Sequence, residues 1–188
     1  MARWEPDARG RLARVALDLY AERGFEQTTV GDIAERAGVT ERTFFRYFAD
    51  KREVLFDGST MLRDALVDAI ASAPASLGPI EVVGHAFGQA ADTLQERREH
   101  AVRRAAVVAA NTSLQERELL KMASLAEAAA TALRARGVEA SVATLAAEAG
   151  AAAFRIAFDS WVADPHPTDL HAAVLAVLGD LRAVVAGT

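Results

Sequence analysis

The sequence predicts an all-α chain in two parts: an N-terminal three-helix helix-turn-helix domain over residues 1–50 and a longer helical domain over residues 51–188. Three observations predict it. Apolar residues recur at three- and four-residue steps through most of the chain, the period of a helix with one buried face. No segment alternates apolar and polar residues as a half-buried strand does. Alanine, the strongest helix former, occurs 43 times.

The elements follow in order. Residues 1–6 read as an arm, where Arg3, and beyond it Arg9 and Arg11, are either phosphate contacts or ordinary solvated charges. From Asp7 to Arg23, Leu12, Val15, Ala16, Leu19 and Tyr20 form one apolar face. Gly24 ends that helix and Phe25 turns back into the core. Thr29 stands three residues before Asp32, the spacing of a reciprocal N-cap. Ile33, Ala34 and Ala37 give the second helix its apolar side, and Gly38 stops it. Thr40 caps a third helix, with Phe44 and Phe48 towards the core. Two helices joined by a tight turn containing glycine make a helix-turn-helix, whose second helix enters the DNA major groove.

Asp50 opens what the pattern predicts as one long helix to Ser72. Pro74 and Gly78-Pro79 punctuate. A helix from Pro79 to about Arg97 carries Gly84-x-x-x-Gly88, a face that admits close helix approach. Further helices are predicted over 99–110, from Ser113 (with Glu116 in capping position) to Arg136, over 141–163 and over 168–186. Leu145, Ala149, Ala152 and Ile156 on the first of the last two, and Val174, Val177, Leu178, Leu181 and Val185 on the second, make apolar stripes that little remaining chain can cover. They pack either within one subunit or against the same helices of a second copy.

Bulk properties narrow the classes. Apolar residues make up 52% of the 188, enough for a packed core. The absence of cysteine excludes disulfides and thiolate metal sites. No apolar run near the start resembles a signal peptide and no stretch reads as a membrane span, so a cytoplasmic protein is expected. The net charge is −5, but residues 39–52 hold Arg42, Arg46, Lys51 and Arg52 against Glu41 and Asp50. Local charge decides near a duplex, because salt screens interactions beyond about 8–10 Å. Glu81/His85 and Glu96/His100 are spaced i, i+4 and read as helix ion pairs; carboxylate-bridged metal bundles use Glu-x-x-His. No nucleophile elbow, phosphate loop or His-Glu-x-x-His occurs. No catalytic residue, metal or cofactor is predicted.

The order of motifs also carries a resemblance. A helix ending Tyr-Ala-Glu-Arg-Gly-Phe is followed by Thr-Thr-Val-x-Asp-Ile-Ala-x-x-Ala-Gly-Val, then Thr-Phe-Phe-Arg-Tyr-Phe and Asp-Lys. Residues 8–56 thus resemble the N-terminal signature of the TetR family of transcriptional regulators. The resemblance implies a homodimeric repressor of double-stranded operator DNA, with a small-molecule effector bound in the second half. The recognition helix itself offers Thr40, Glu41, Arg42, Thr43, Phe45 and Arg46 near its start, where base edges come within reach. Tyr47, Lys51 and Thr29 match positions that in the family touch phosphates. Two departures are Gly31, where the family often has a polar side chain, and Phe45, where many relatives have Tyr. For the implied effector the candidates are Met61, Phe87, His100, Arg103, Arg104, Asn111, Phe154, Phe158 and Trp161. Phe154, Phe158 and Trp161 share one stripe, which reads as core as readily as pocket. The second-half stripes on 145–156 and 174–185 are the dimer candidates. Two rivals stay open: an activator without a ligand, and an all-α enzyme or protein-binding bundle whose first helices only resemble a DNA reader.

Overall fold

A computed structural model describes residues 7–187, so the expected arm with Arg3 lies outside the described residues. Those residues form α1 (Ala8–Arg23), α2 (Val30–Arg36), α3 (Glu41–Tyr47), a 3-10 turn (Glu53–Phe56), α4 (Ser59–Ser72), α5 (Pro79–Gln95), α6 (Arg98–Ala109), α7 (Thr112–Ala135), α8 (Ala140–Ala163) and α9 (Leu170–Ala186), with no strand among them. They divide into two units. The first runs through Gly58 and includes Arg103–Glu118; the second holds Ser59–Val102 and the chain from Leu119 on.

In the first unit α1 is the brace. Leu12, Ala16, Leu19 and Tyr20 are buried against Ile33, Phe44 and Phe48. Tyr20 meets Phe25 edge-on at 5.2 Å, and its hydroxyl donates to the Lys51 carbonyl at 2.6 Å. Burial raises the Tyr20 phenol well above its ordinary value, so it stays a donor. Thr28 is buried and turns its hydroxyl onto the Gly24 carbonyl at 2.9 Å, closing the loop after α1.

The helix expected to run unbroken from Asp50 is interrupted. Asp50 Oδ1 accepts from the amides of Arg52 (2.7 Å) and Glu53 (3.1 Å) and caps one short turn. The Leu55 carbonyl then accepts from Arg104 Nε at 2.8 Å, so it is bound from outside the segment. Gly58 adds a residue that disfavours helix by about 1 kcal/mol relative to alanine. The start of α7 also differs from expectation. Asn111, not Ser113, is the cap: its Oδ1 accepts from the Leu114 amide at 3.2 Å and the Ser113 hydroxyl at 2.8 Å.

In the second unit α5, α8 and α9 pack on one another, with α4 against α5. Glycines permit the approach. A Cβ on Gly84 would stand 2.8 Å from Leu178 Cδ1, and one on Gly88 2.3 Å from His171 Nε2. This is the close face the Gly-x-x-x-Gly spacing predicts. It also corrects two expectations for the subunit surface: Val174 and Leu178 are buried, because α9 turns them onto α5. Glu81 and His85 do not pair. Glu81 caps α5 through the Gly78 amide (2.9 Å), and His85 meets Gln89 (2.9 Å). Helix α8, with mean hydropathy 1.3, is long and apolar enough to cross a bilayer, contrary to the expectation that no such segment exists. Neighbouring helices bury 44% of that window, as they do in the core helix of a bundle.

Candidate nucleic-acid interface

The helix-turn-helix is fixed by local hydrogen bonds that the sequence specifies. The Thr29 hydroxyl accepts from the Asp32 amide at 3.1 Å, while Asp32 Oδ2 accepts from the Thr29 amide at 2.8 Å. The Thr29 hydroxyl also lies 2.6 Å from Asp32 Oδ2, and its hydrogen bond and that of the Thr29 amide hold the Asp32 carboxyl below its usual range. At the other end of α2, Gly38 takes φ +69°. That conformation lets the Val39 amide reach the Ala34 carbonyl (2.9 Å) and the Gly38 amide the Glu35 carbonyl (3.0 Å), a Schellman closure. Thr40 caps α3 through the Thr43 amide at 3.2 Å. Glu22 and Arg36 form a two-pronged bridge from α1 to α2 at 2.6 and 2.8 Å, which lowers the Glu22 carboxyl.

With α2 pinned at both ends, α3 divides cleanly. Phe44 is wholly buried and Phe48 nearly so. Thr40, Glu41, Arg42, Phe45 and Arg46 are exposed, and Thr43 and Tyr47 are half-buried. Phe45 leaves 54% of its surface in solvent while meeting the Phe44 ring edge-on at 5.5 Å. Arg42 and Arg46 stand one turn apart. The Arg46 guanidinium stacks 4.8 Å over the Tyr47 ring and donates to its hydroxyl at 2.8 Å, which orients it. The structure therefore brings Arg42, Phe45, Arg46 and Tyr47 together with Thr29 and Thr40 at the two helix starts.

Two expected contacts have other partners. Lys51 Nζ donates to the carbonyls of Phe25 (2.9 Å), Thr28 (3.0 Å) and Glu26 (3.5 Å), and lies 4.3 Å over the Phe25 ring. An ammonium has three donors, and here Lys51 directs them to bracing the 25–28 loop. Glu41 leans back: its Oε1 lies 3.0 Å from the place a Cβ on Gly31 would take. Gly31 is thus the space for Glu41, a pairing the sequence reading missed because it took each position singly.

Residues 12–57 match the family model described as bacterial regulatory proteins, tetR family. The regulator TcmR of Streptomyces glaucescens is 40% identical over 79 residues, 42% of this chain. Over these residues the chain carries the N-terminal signature of TetR-family regulators. The family's members are DNA-binding transcription factors, not enzymes. The match spans about a third (35%) of the length of TcmR. Whole-chain similarity comes from solved structures. A TetR-family regulator from Syntrophomonas wolfei superposes with a TM-score of 0.67 at 16% identity, covering 95% of this chain and 94% of that one. SmeT, a repressor of a Stenotrophomonas maltophilia multidrug efflux pump solved with triclosan, superposes at 0.64 and 20% identity, covering 95% and 90%. At such low identity these superpositions show a shared fold.

The effector candidates scatter. Asn111 lies in the first unit as a helix cap, with its amide donating to Glu26 at 2.8 Å. Arg103 pairs with Asp18 at 2.6 Å, and Arg104 with Glu118 at 2.7 Å, also in the first unit. These three are engaged by protein groups and do not join the others. Met61 and His100 are exposed. Phe87, Phe154, Phe158 and Trp161 do come together, as a ladder with ring centroids 5.7, 6.3 and 5.9 Å apart. Arg98 closes that ladder, 5.2 Å over the Trp161 ring, and donates to the carbonyls of Trp161 (3.2 Å) and Asp164 (2.6 Å). Sequence reading passed over Arg98. The available signal was that its i±4 neighbours, Leu94 and Val102, offer no helix ion pair. A separate open groove of 460 Å³ lies between α5 and α9, lined by Leu77, Ile80, Gly84, Leu175 and Gly179. None of the expected residues lines it except Leu178, which was expected at a dimer face.

Of the dimer candidates, Leu145 (71% exposed), Ile156, Leu181 and Val185 (80% exposed) are solvent-facing apolar side chains. Ala152 is also exposed, and Ala149 and Val177 are half-buried. Val142, Leu175 and Val184 extend the exposed apolar set.

Proposed function

We propose that this chain is a ligand-responsive transcriptional repressor, acting in the cytoplasm as a homodimer on a palindromic operator. The observation that carries the reading is the outward array on α3: Arg42, Phe45, Arg46 and Tyr47, held by a capped and glycine-closed helix-turn-helix. Arg42 and Arg46 pair with guanine edges, Phe45 packs on a thymine methyl, and Thr29 and Tyr47 touch phosphates. Glu41, Thr40 and Thr43 border the same face. The exposed apolar residues of α8 and α9, two helices packed on each other, support a subunit interface. The two recognition helices then sit about 34–36 Å apart, one turn of duplex. Ligand response is supported by a fold neighbour that was solved with a bound small molecule.

The test is fluorescence anisotropy of the purified protein on the DNA upstream of its own coding sequence, and on duplexes selected from a random pool. Arg42→Ala and Arg46→Ala are each expected to cost about 1–3 kcal/mol of binding and to relax preference at one base pair per half-site. Melting temperatures stay unchanged, because both side chains are exposed. A selection that enriches no duplex would reject the reading.

A further inference from the structure

Two buried N–H donors in the second unit, Arg98 Nε and Trp161 Nε1, find no acceptor among the described residues. They belong to touching side chains: the carbon bonded to Arg98 Nε is the one that lies 5.2 Å over the Trp161 ring. Trp161 is only 2% exposed, so bulk water does not satisfy its indole. Native interiors leave few such donors without a partner, and each has a cost. Two on one contact mark a place built for an acceptor.

Its surroundings define the acceptor's chemistry. The indole ends the Phe87–Phe154–Phe158 ladder, in which Phe154 and Phe158 are nearly parallel, 14° apart. A planar ring presents the flat face that stacks on such a ladder. The hydrogen bonds of the Arg98 guanidinium go to two neutral carbonyls at the end of α8, not to an acid. Its charge favours an anionic oxygen. Phe158 and Arg98 are each partly exposed, so this end of the ladder reaches the surface. The groove between α5 and α9 lacks such features: Glu81 there is held by the Gly78 amide and lies 3.6 Å from Arg182.

We infer that the Arg98–Trp161 end of the ring ladder binds a planar aromatic carboxylate, whose oxygens accept from Arg98 Nε–H and Trp161 Nε1–H. The assignment rests on the reading of the chain as ligand-responsive and names the class of effector. The incoming carboxylate supplies the acceptor both donors lack.

The chain has two tryptophans, and Trp4→Phe leaves Trp161 as the sole indole. In ¹⁵N-labelled Trp4→Phe protein, titration with 2-naphthoate is expected to move the Trp161 indole proton downfield and to saturate. Calorimetry on the same probe is expected to show binding about tenfold or more weaker for Arg98→Met, and weaker again for 2-naphthamide, which keeps the shape and loses the charge. Trp161→Phe keeps a ring and removes the N–H; it carries the comparison if Arg98→Met does not fold. An indole proton that already exchanges magnetisation with a trapped water and does not move with naphthoate overturns the proposal. Equal affinity in both variants overturns it too. Naphthoate bound without release of operator DNA leaves the site standing and rejects only the effector reading. Release by another class of compound, with the indole proton unmoved by naphthoate, does the reverse.

Discussion

Replacing Lys51 by Met separates a brace from a DNA contact. Lys51 makes hydrogen bonds at 2.9 and 3.0 Å to the Phe25 and Thr28 carbonyls and sits 4.3 Å over the Phe25 ring. Hydrogen bonds from a charged donor are worth about 1.5–3 kcal/mol each and an exposed ring contact about 0.5–1, so the gross loss is about 3.5–7 kcal/mol. Lys51 is only half-buried, and water re-solvates the freed carbonyls. A net loss of about 2–3 kcal/mol is expected, which for a chain of this size lowers the melting temperature by about 4–12 °C. Thermal unfolding by circular dichroism reads that shift. Anisotropy on operator DNA across a salt series, at a temperature where the variant is folded, reads the other possibility. A phosphate contact would leave melting unchanged and reduce the slope of log affinity against log salt by about one. That pair of results would refute the brace.

Three further outcomes follow from particular contacts. Gly150→Ala puts a Cβ 2.9 Å from the Phe87 ring and is expected to destabilise by about 1–3 kcal/mol through overpacking. Gly179→Ala, where a Cβ meets nothing within 4 Å, is expected to stabilise the subunit by about 0.5–1 kcal/mol through helix propensity; chemical denaturation of the two variants checks the opposite signs. Glu41→Gln removes a negative charge lying against the start of α2 and is expected to strengthen non-specific DNA binding, with an unchanged ranking of operator variants, as measured by competition anisotropy. Acid sensitivity has a fixed sign in the first unit. Hydrogen bonds hold Glu22 and Asp32 below their usual values of 4.5 and 3.8, and at Asp50 the Arg52 side chain and two amides outweigh the opposing effect of burial. Carboxyls depressed in the folded state add stability above their unfolded values and lose it as pH falls through the folded ones. Melting temperature is therefore expected to be flat above about pH 6 and to fall below about pH 4.5.

The first unit was legible because its signals are local. Thr29 with Asp32, Gly38, and Thr40 with Thr43 each act within four residues, and each hydrogen bond stands where the spacing puts it. What escaped was set by residues distant in sequence. Arg104 binds the Leu55 carbonyl from 49 positions away and helps break a helix that periodicity alone continues. Lys51 lies 26 positions after Phe25, so its spacing says nothing of the carbonyls it holds. Periodicity located the stripe on α9 but not which side of it α5 would cover: Val174 and Leu178 went inward, while Leu181 and Val185 remain exposed. The effector candidates failed in the same way. Arg103, Arg104 and Asn111 are close in sequence to the second half, yet they pack with the first unit.

The energetics of recognition ask for two heads. Within one α3, Arg42 and Arg46 are the side chains able to make bidentate pairs with guanine. At about 1–3 kcal/mol each they supply about 2–6 kcal/mol of discrimination. Specific sites are typically bound about 4–10 kcal/mol more tightly than the about 10⁶–10⁹ competing sites of a genome. A single head falls at the low end of that range or below it, and two heads on one duplex reach about 4–12 kcal/mol. The local charge offers only a modest general attraction: residues 39–52 hold four basic against two acidic side chains. A head with so small a local excess of positive charge gains little discrimination from phosphates alone. On the proposed reading, the missing specificity comes from doubling the site. Leu145, Ile156, Leu181 and Val185 lie on the α8 and α9 surfaces that such doubling would use. A Leu145→Glu, Val185→Glu double variant is accordingly expected to sediment as a monomer and to lose preference for operator over random DNA while its helix-turn-helix still folds. A monomer that kept full specificity would mean that one head reads more than its two arginines.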